Sequence, residues 1–408
     1  MKYSKDEILQ FAQEEDVKFI RLAFCDVFGR QKNISIMPEE LPRAFEQGIA
    51  FDASSILGFG DETHSDLLLH PEADTLMPLP WRPEHGRVVQ MFSSITYPDG
   101  TPFACDTRRL LKKAVAEAKE AGFTFTFGAE QEFYLFLQDE KGKKTKIPSD
   151  EAGYMDIAPD DHGENVRREI CLTLEKMDIH PESSHHEEGP GQNEIDFRYS
   201  DPIVAADNAQ MFQRVVKTVA NRNGLVADFS PKPLKNAPGN GFHINMSVSP
   251  FDENNNFQYM LAGIIEHIKA MTLFLNPSKE SYKRLGKNKA PGYISWSAEN
   301  RSQLIRIPAA FGEYRRAELR SPDPVANPYL AFALMIWAAL DGIKNKRSLP
   351  EAANINLYKA PSSVLSNYKM LPKNYREACK AAMNDAFIRT HVPAEILEIY
   401  STFIVAEE

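Results

Sequence analysis

The chain has 408 residues, 43% of them hydrophobic and 25% charged, with a formal net charge of −10 at pH 7. That length asks for two domains, or one large domain with a small partner, and the acidic balance excludes a protein built around a basic nucleic-acid-binding face. The longest apolar run, residues 329–340, is too short to cross a bilayer, and the charged start MKYSKDEILQFAQEED is neither a signal nor a transit peptide, so no membrane partner and a cytoplasmic location are expected.

In chain order, residues 5–15 fit a first helix. VKFIRLAFCDVFGRQKNISIMP reads as two strands around a glycine turn, and PEELPRAFEQG as a short helix stopped by Gly48. Strand and loop follow, and the YPDG turn at 97–100 marks a boundary between a small α+β domain, residues 1–100, and a larger one, residues 101–408. DTRRLLKKAVAEAKEAG is an amphipathic helix with Asp106 as N-cap and Gly122 as stop. The strand FTFTFGAEQEFYLF comes next, then a polar hairpin tip, QDEKGKKTK. GENVRREICLTLEKMD and DNAQMFQRVVKTVANRNG read as helices, and YLAFALMIWAAL as a buried one. Cys25, Cys105, Cys171 and Cys379 have no metal-site spacing and read as reduced structural thiols. There is no internal repeat and no low-complexity linker.

Several strands share a peculiarity. Side chains alternate faces along a strand, so in FTFTFGAEQEFYLF the residues Phe123, Phe125, Phe127, Phe133 and Leu135 face a core while Glu130 and Glu132 face the other way, beside Gly128. In NEIDFRY, Glu194, Asp196 and Arg198 oppose Ile195, Phe197 and Tyr199. In FHINMSV, His243, Asn245 and Ser247 oppose the apolar set. RRAELRSP puts Arg316, Glu318 and Arg320 on one face, and in SQLIRIP Arg306 opposes Ile305 and Ile307. One such strand would be an ordinary solvated sheet face. Five together, carrying carboxylates, an imidazole and guanidinium groups in place of Lys, Thr and Ser, predict a site.

The donor set specifies its chemistry. Hard divalent cations prefer carboxylate oxygens, and a ring nitrogen suits Mn²⁺ or Zn²⁺ somewhat better than Mg²⁺. Glu130, Glu132, Glu187, Glu194, His243 and Glu318 supply enough ligands for two adjacent cations, and Arg301, Arg306, Arg316 and Arg320 could clamp phosphate or carboxylate. Metals and arginines around a polyphosphate are a standard arrangement for phosphoryl transfer. No Walker A sequence, no GxGxxG and no nucleophilic triad is present. His185 and His186 are sequential, so on a strand they face opposite ways, and at least one is structural or exposed.

The stretches VKFIRLAFCDVFG, FDASSILGF, GAEQEFYLF, SSHHEEGPGQNEIDFRYSDPI, GNGFHINMSV, NRSQLIRIP and AELRSPDPVANPYLAFA, in this order, resemble the glutamine synthetases of the bacterial type I group. The resemblance runs over nearly the whole chain. It implies a β-grasp N-terminal domain, a larger catalytic domain with a curved antiparallel sheet flanked by helices, and a homo-oligomeric ring with active sites between subunits. It implies two or more Mg²⁺ or Mn²⁺ per site, one held by Glu132, Glu187 and Glu194 and another by Glu130, His243 and Glu318. ATP as co-substrate would lie near Gly128, Glu182, Ser247, Arg306 and Arg316. Glutamate would lie at Gly239, Arg284 and Arg320. Arg301 would stabilise the transferring phosphoryl group, and Asp52 of a neighbouring subunit would bind and deprotonate ammonium. The implied reaction phosphorylates the γ-carboxylate of glutamate and then amidates it.

The chain also departs from the family pattern. The loop YKRLGKNKAPGYISWS is one residue shorter and carries Lys289 about where the family has a substrate-closing glutamate. In APGNG the family's asparagine is replaced by Pro238 or shifted to Asn240, and Asn245 stands in place of a second histidine. STFIVAEE ends short of the family's C-terminal helix. Ammonia is the expected acceptor. The missing loop acid motivates an alternative, an alkylamine or polyamine acceptor. A catalytically weak regulatory homologue is a further alternative, against which the full metal-ligand set argues.

Overall fold

The computed structural model describes residues 3–82, 86–251, 253–310 and 312–402. The expectation about the C-terminal end falls largely on residues 403–408, outside that set. The chain divides into two compact units, Met1–Leu110 with Thr173–Ile179, and Leu111–Leu172 with His180–Glu408.

The first unit holds α1 (Lys5–Glu14), β1 (Val17–Cys25), β2 (Gln31–Ile36), α2 (Leu41–Gln47), β3 (Ile49–Asp52), β4 (Asp66–Pro71), β5 (Met77–Pro78) and β6 (Arg87–Thr96). The start of α1 is fixed by a capping box, Ser4 and Glu7 satisfying each other's amides. Among the described residues the sheet order is β2-β1-β6-β4-β3, with β5 also on β6. β1 and β6 run parallel and the other pairs antiparallel. Ile20, Leu22, Leu67, Leu69, Val89 and Met91 point into the core beneath the buried face of α2, Leu41, Ala44 and Phe45. This is the β-grasp arrangement expected. The segment 97–101 closes as the predicted turn, with Tyr97 and Thr101 paired through the backbone.

After α3 (Thr107–Glu120), the second unit is built on β7 (Thr124–Gln138), the longest of the described strands. Further strands are β8 (Lys144–Pro148), β9 (Pro181–His186), β10 (Gln192–Phe197), β11 (Leu225–Asp228), β12 (Phe242–Ser249), β13 (Trp296–Ala298), β14 (Ile305–Ile307) and β15 (Ala317–Leu319). Among the described residues their order is β13-β14-β15-β12-β7-β10-β9, with β8 and β11 also on β7. Among the described pairs of this sheet, only β13–β14 is parallel. The helices are α4 (Glu164–Glu175), α5 (Pro202–Arg222), α6 (Asn256–Leu275), α7 (Ser281–Arg284), α8 (Pro328–Lys344), α9 (Ser362–Leu365), α10 (Tyr375–Met383), α11 (Ala386–His391) and α12 (Ala394–Thr402).

One face of the sheet is the core. Phe127 stacks on Phe332 of α8 with ring centroids 4.4 Å apart, and Phe133 meets Phe212 of α5 edge-on at 6.1 Å. α8, the predicted buried helix, is apolar nearly all round because it is enclosed on most sides. Covering this face leaves the opposite one for the polar residues of the same strands.

Candidate functional site

The sheet register assembles the site in three rows. Antiparallel partners on one face stand side by side. The first row runs His185–Glu194–Glu132 across β9, β10 and β7. The second runs Ser183–Asp196–Glu130–His243 across β9, β10, β7 and β12. The third runs Gly128–Asn245–Glu318–Arg306 across β7, β12, β15 and β14. The two glutamates that look misplaced within β7 are thus the middle of the first two rows.

Around His243 the carboxylates converge. Its Nδ1 lies 3.5 Å from Glu130 Oε2 and 3.7 Å from Glu318 Oε1, and its Nε2 lies 4.0 Å from Glu132 Oε1. Ligand atoms of Glu130, Glu194 and His243 lie within 4.8 Å of one another, and so do those of His185, Glu187 and Glu194. Glu194 therefore stands between two groupings. Burial pushes the Glu194 carboxyl well above its usual range, reinforced by Asp196, Glu132 and Glu130. Burial also raises Glu132, against the pull of His243. Burial and the charge of Glu130 take Asp196 up to about 7. Burial would raise Glu187 as well, but the His185 ring and the Glu188 amide outweigh it and leave the carboxyl low.

Carboxyls crowded until they resist ionisation form a cluster that a cation relieves. Asp196 Oδ1 is buried with no hydrogen-bond partner, an orphaned acceptor beside Glu130 and Glu194. The donor set, mostly carboxylate oxygens with imidazole, fits Mg²⁺ or Mn²⁺.

Guanidinium groups flank the carboxylates. Arg306 donates to Glu318 Oε2 at 2.7 Å and Arg320 to Glu318 Oε1 at 2.6 Å. Burial opposes ionisation of Glu318, yet Arg320, His243 and Arg306 together bring its carboxyl to about 2. The Nε atoms of Arg306 and Arg320 are buried without partners. Arg284 is buried and donates to the carbonyls of Ser321 at 2.8 Å and Arg320 at 3.3 Å. Gly239 precedes β12, and its carbonyl accepts from Gln192, which also donates to Glu132 Oε2 at 3.1 Å.

A small pocket lies at the end of the third row, lined by Thr126, Tyr199, Asn245, Ser247, Tyr314 and Arg316 among others. Asn245 joins the pocket to the carboxylates. Its amide donates to Glu130 at 2.6 Å, and its oxygen accepts from Arg316 at 2.9 Å. Arg316 also stands 5.4 Å over the Tyr199 ring. Gly128 permits this packing, since a Cβ there would sit 2.8 Å from Tyr199. Ser247 donates to the Arg315 carbonyl at 2.9 Å. Glu182 is exposed on β9, and its charge reaches Tyr199.

Arg301 is exposed on the turn before β14, and its charge acts on the Tyr154 hydroxyl. Lys289 belongs to the loop 286–292, which borders a cleft of about 590 Å³. Asp52 ends β3 in the first unit, exposed, its carboxyl held low by the Ser54 hydroxyl and amide. Of the two loop asparagine alternatives, Asn240 is fully buried and spends its amide on the carbonyls of Asp228 and Ser230. Pro238 offers its carbonyl to Tyr134 at 2.8 Å.

The adjacent histidines divide as alternation requires. His186 is fully buried, bridging Asp150 Oδ1 at 2.9 Å and the Glu187 carbonyl at 2.6 Å. His185 faces the site, 3.1 Å from Glu187 Oε1 and 3.8 Å from Glu194 Oε1. Sequence reasoning left His185 unassigned, although its register with Glu194 would have found it. Glu188 and Tyr154 were also missed. They sit outside regular strands, where no periodicity signals a face.

Comparison with known proteins agrees with this geometry. Profiles of the glutamine synthetase β-grasp domain and catalytic domain match residues 16–98 and 104–407. A glutamine synthetase of Clostridium saccharobutylicum is 46% identical over 371 residues, 88% of this chain and 84% of that protein. One of Staphylococcus aureus (strain MW2) is 41% identical over 423 aligned positions, covering 97% and 94%. A structure described as a GmaS/ADP complex superposes with a TM-score of 0.88 at 28% identity, over 98% of this chain and 95% of that one. The Plasmodium falciparum glutamine synthetase, at 23% identity and a TM-score of 0.86 over 100% and 96% of the two chains, shares the fold. With both domains matched and curated relatives above 40% identity over most of its length, the chain belongs to the glutamine synthetase family, ATP-dependent ligases that join glutamate to an amine.

Proposed function

We propose that the protein makes glutamine, phosphorylating the γ-carboxylate of glutamate with ATP and displacing the phosphate with ammonia. The observation that carries this reading is the convergence of Glu130, Glu132, Glu194, His243 and Glu318 on one sheet face, with Arg306 and Arg320 beside them. Glu132, Glu187 and Glu194 hold one divalent cation and Glu130, His243 and Glu318 another, with His185 close enough to Glu194 to contribute to the first. Bound cations supply charge neutralisation for the phosphates and for the developing leaving group. A carboxylate-rich donor set with imidazole accepts Mg²⁺ or Mn²⁺.

ATP lies near Gly128, Ser247 and Arg316, the last two of which line a small pocket, and the ADP named for the GmaS structure supports nucleotide binding. Glu182 and Arg306 complete the set of residues around the nucleotide. Arg320, Arg284 and the Gly239 loop hold glutamate, and Arg301 approaches the phosphoryl group in transfer. Asp52 reaches the site of a neighbouring subunit in a homo-oligomeric ring, there to take a proton from ammonium, and the boundary between the domains lies near residue 100. A cytoplasmic location fits these substrates, and no described helix is long and apolar enough to cross a membrane.

The test is direct. Purified protein with glutamate, Mg–ATP and ammonium should release glutamine, ADP and phosphate in equal amounts, and chelation of the metal should abolish turnover. Turnover with an alkylamine or polyamine but not with ammonium would replace ammonia as the acceptor. No glutamate-dependent ADP release would overturn the ligase reading.

A further inference from the structure

Lys289 occupies a loop whose backbone aims it. Gly286, Asn288 and Lys289 all have positive φ, at 75°, 45° and 66°, a conformation that lysine rarely adopts. The loop is closed by backbone bonds from Gly286 to Ala290 and from Ala290 to Lys287, and it is tied at its base by Lys287 to Arg284. Asn288 donates to the Ala237 carbonyl at 3.3 Å. Out of this frame the Lys289 ammonium pairs with Glu188, a residue 101 positions away in sequence. It also stands 5.6 Å over the Tyr154 ring, whose own neighbour at 5.5 Å is His185. Glu188 in turn donates its backbone N–H to Glu187 Oε2 at 3.0 Å. One short chain of contacts therefore runs from the loop lysine to a carboxylate of the metal cluster.

A bare ammonium group at this mouth would oppose the entry of a second cation. Pairing changes that, because a carboxylate and an ammonium in contact leave little net field a few ångströms away. We infer that Glu188 is the counter-charge that makes a lysine-bearing loop compatible with a cationic acceptor, so that Glu188 and Lys289 act as one neutral unit setting acceptor preference. The inference rests on the ligase reading above and adds a specificity-determining pair to it. The ordinary alternative is an ion pair of no functional consequence, since exposed pairs contribute little to stability. Here the loop backbone is held in an unfavoured conformation that delivers the lysine to its partner, and that conformation is the observation separating the two.

Acceptor charge gives the discriminating experiment. Ammonium is a cation at neutral pH, whereas hydroxylamine is uncharged there and forms the γ-glutamyl hydroxamate by the same displacement. In either case a C–N bond forms and the C–O bond to phosphate breaks; ammonium gives up two protons, one to phosphate and one to solvent, and hydroxylamine gives up one, to phosphate. In Glu188→Gln the kcat/KM for ammonium should fall about tenfold relative to that for hydroxylamine, as expected for one uncompensated charge near the acceptor. In Glu188→Gln with Lys289→Gln the ratio should return to within about threefold of wild type, the signature of a coupled pair.

An unchanged ratio in the single variant overturns the inference, and so does a double variant as impaired as the single. Glu188 is about one-third exposed, so the variant should fold. Mg–ATP affinity close to wild type supports a local charge effect, and its loss in the single variant overturns the inference in favour of a structural role. If wild-type protein forms neither product, the ligase reading itself fails and the pair has no acceptor to select.

Discussion

Glu130 and Glu132 would repel each other on an isolated strand, and their neighbours Glu194 and Asp196 would add to the repulsion. The protein tolerates this by pairing at the edges of the cluster, where Glu318 is held by two arginines, and by keeping protons or cations at its centre. Away from that cluster, Asp323 shows burial acting on one carboxyl. It is fully buried, accepts from Asn276 at 2.8 Å, and burial lifts it from 3.8 to about 6 against the opposing charge of Arg284. A carboxyl raised in the folded state holds its proton after the unfolded chain has lost its own. Its contribution to stability is therefore complete below pH 3.8 and is lost as pH rises to about 6. The difference corresponds to on the order of 3 kcal/mol. Urea unfolding of wild type and Asp323→Asn between pH 4 and 7 should show a stability difference that shifts in favour of the variant as pH rises. A difference independent of pH would remove this account.

At the scale of elements, β7 carries both the core and the site. Its odd-numbered aromatic positions hold the helices, and its even-numbered positions hold the carboxylates, so damage to one face should be felt at the other. Phe127→Ala removes a fully buried ring stacked on Phe332 and should cost roughly 3–5 kcal/mol. Glu130 is three residues along the same strand, so metal affinity should weaken in parallel, measured by calorimetric Mg²⁺ titration beside denaturant unfolding. α6 and α8 cross on the glycines Gly263 and Gly342, where an added Cβ would lie 2.0 Å from the Ala338 and Tyr259 carbonyls respectively. That contact explains why two helices with so little polar surface pack face to face. The elements themselves were largely legible. The runs read as α1, α3, α4 and α8 are helices at close to the expected bounds, α5 begins at Pro202, ahead of the run read from Asp207, and the alternating strands are strands, because periodicity and capping residues are local signals. The short helices α9, α10 and α11 and the short strand β13 gave no comparable signal, and tertiary packing specifies them.

At the scale of the whole molecule, the proposed ring makes activity a property of neighbouring subunits. Asp52 lies in one unit of the chain and the carboxylate cluster in the other. If each site joins Asp52 of one subunit to the metal ligands of the next, Asp52→Ala and Glu130→Gln proteins should each be nearly inactive. Oligomers reassembled from equal amounts of the two should recover about a quarter of wild-type activity, the statistical share of interfaces with both groups intact. No recovery would place both groups in one subunit's site.

The sequence alone determined the strand faces, several of the helices, the family resemblance and the identity of nearly every ionisable group in the site, because alternation and charge are written residue by residue. It left His185 open, and it marked Lys289 only as a cation standing about where the family has a loop glutamate. Tertiary structure decided both. Strand register placed His185 beside Glu194, and chain closure over 101 residues brought Glu188 to Lys289. The electrostatic meaning of a charge depends on its nearest partner, and that partner is fixed by the fold and not by local sequence.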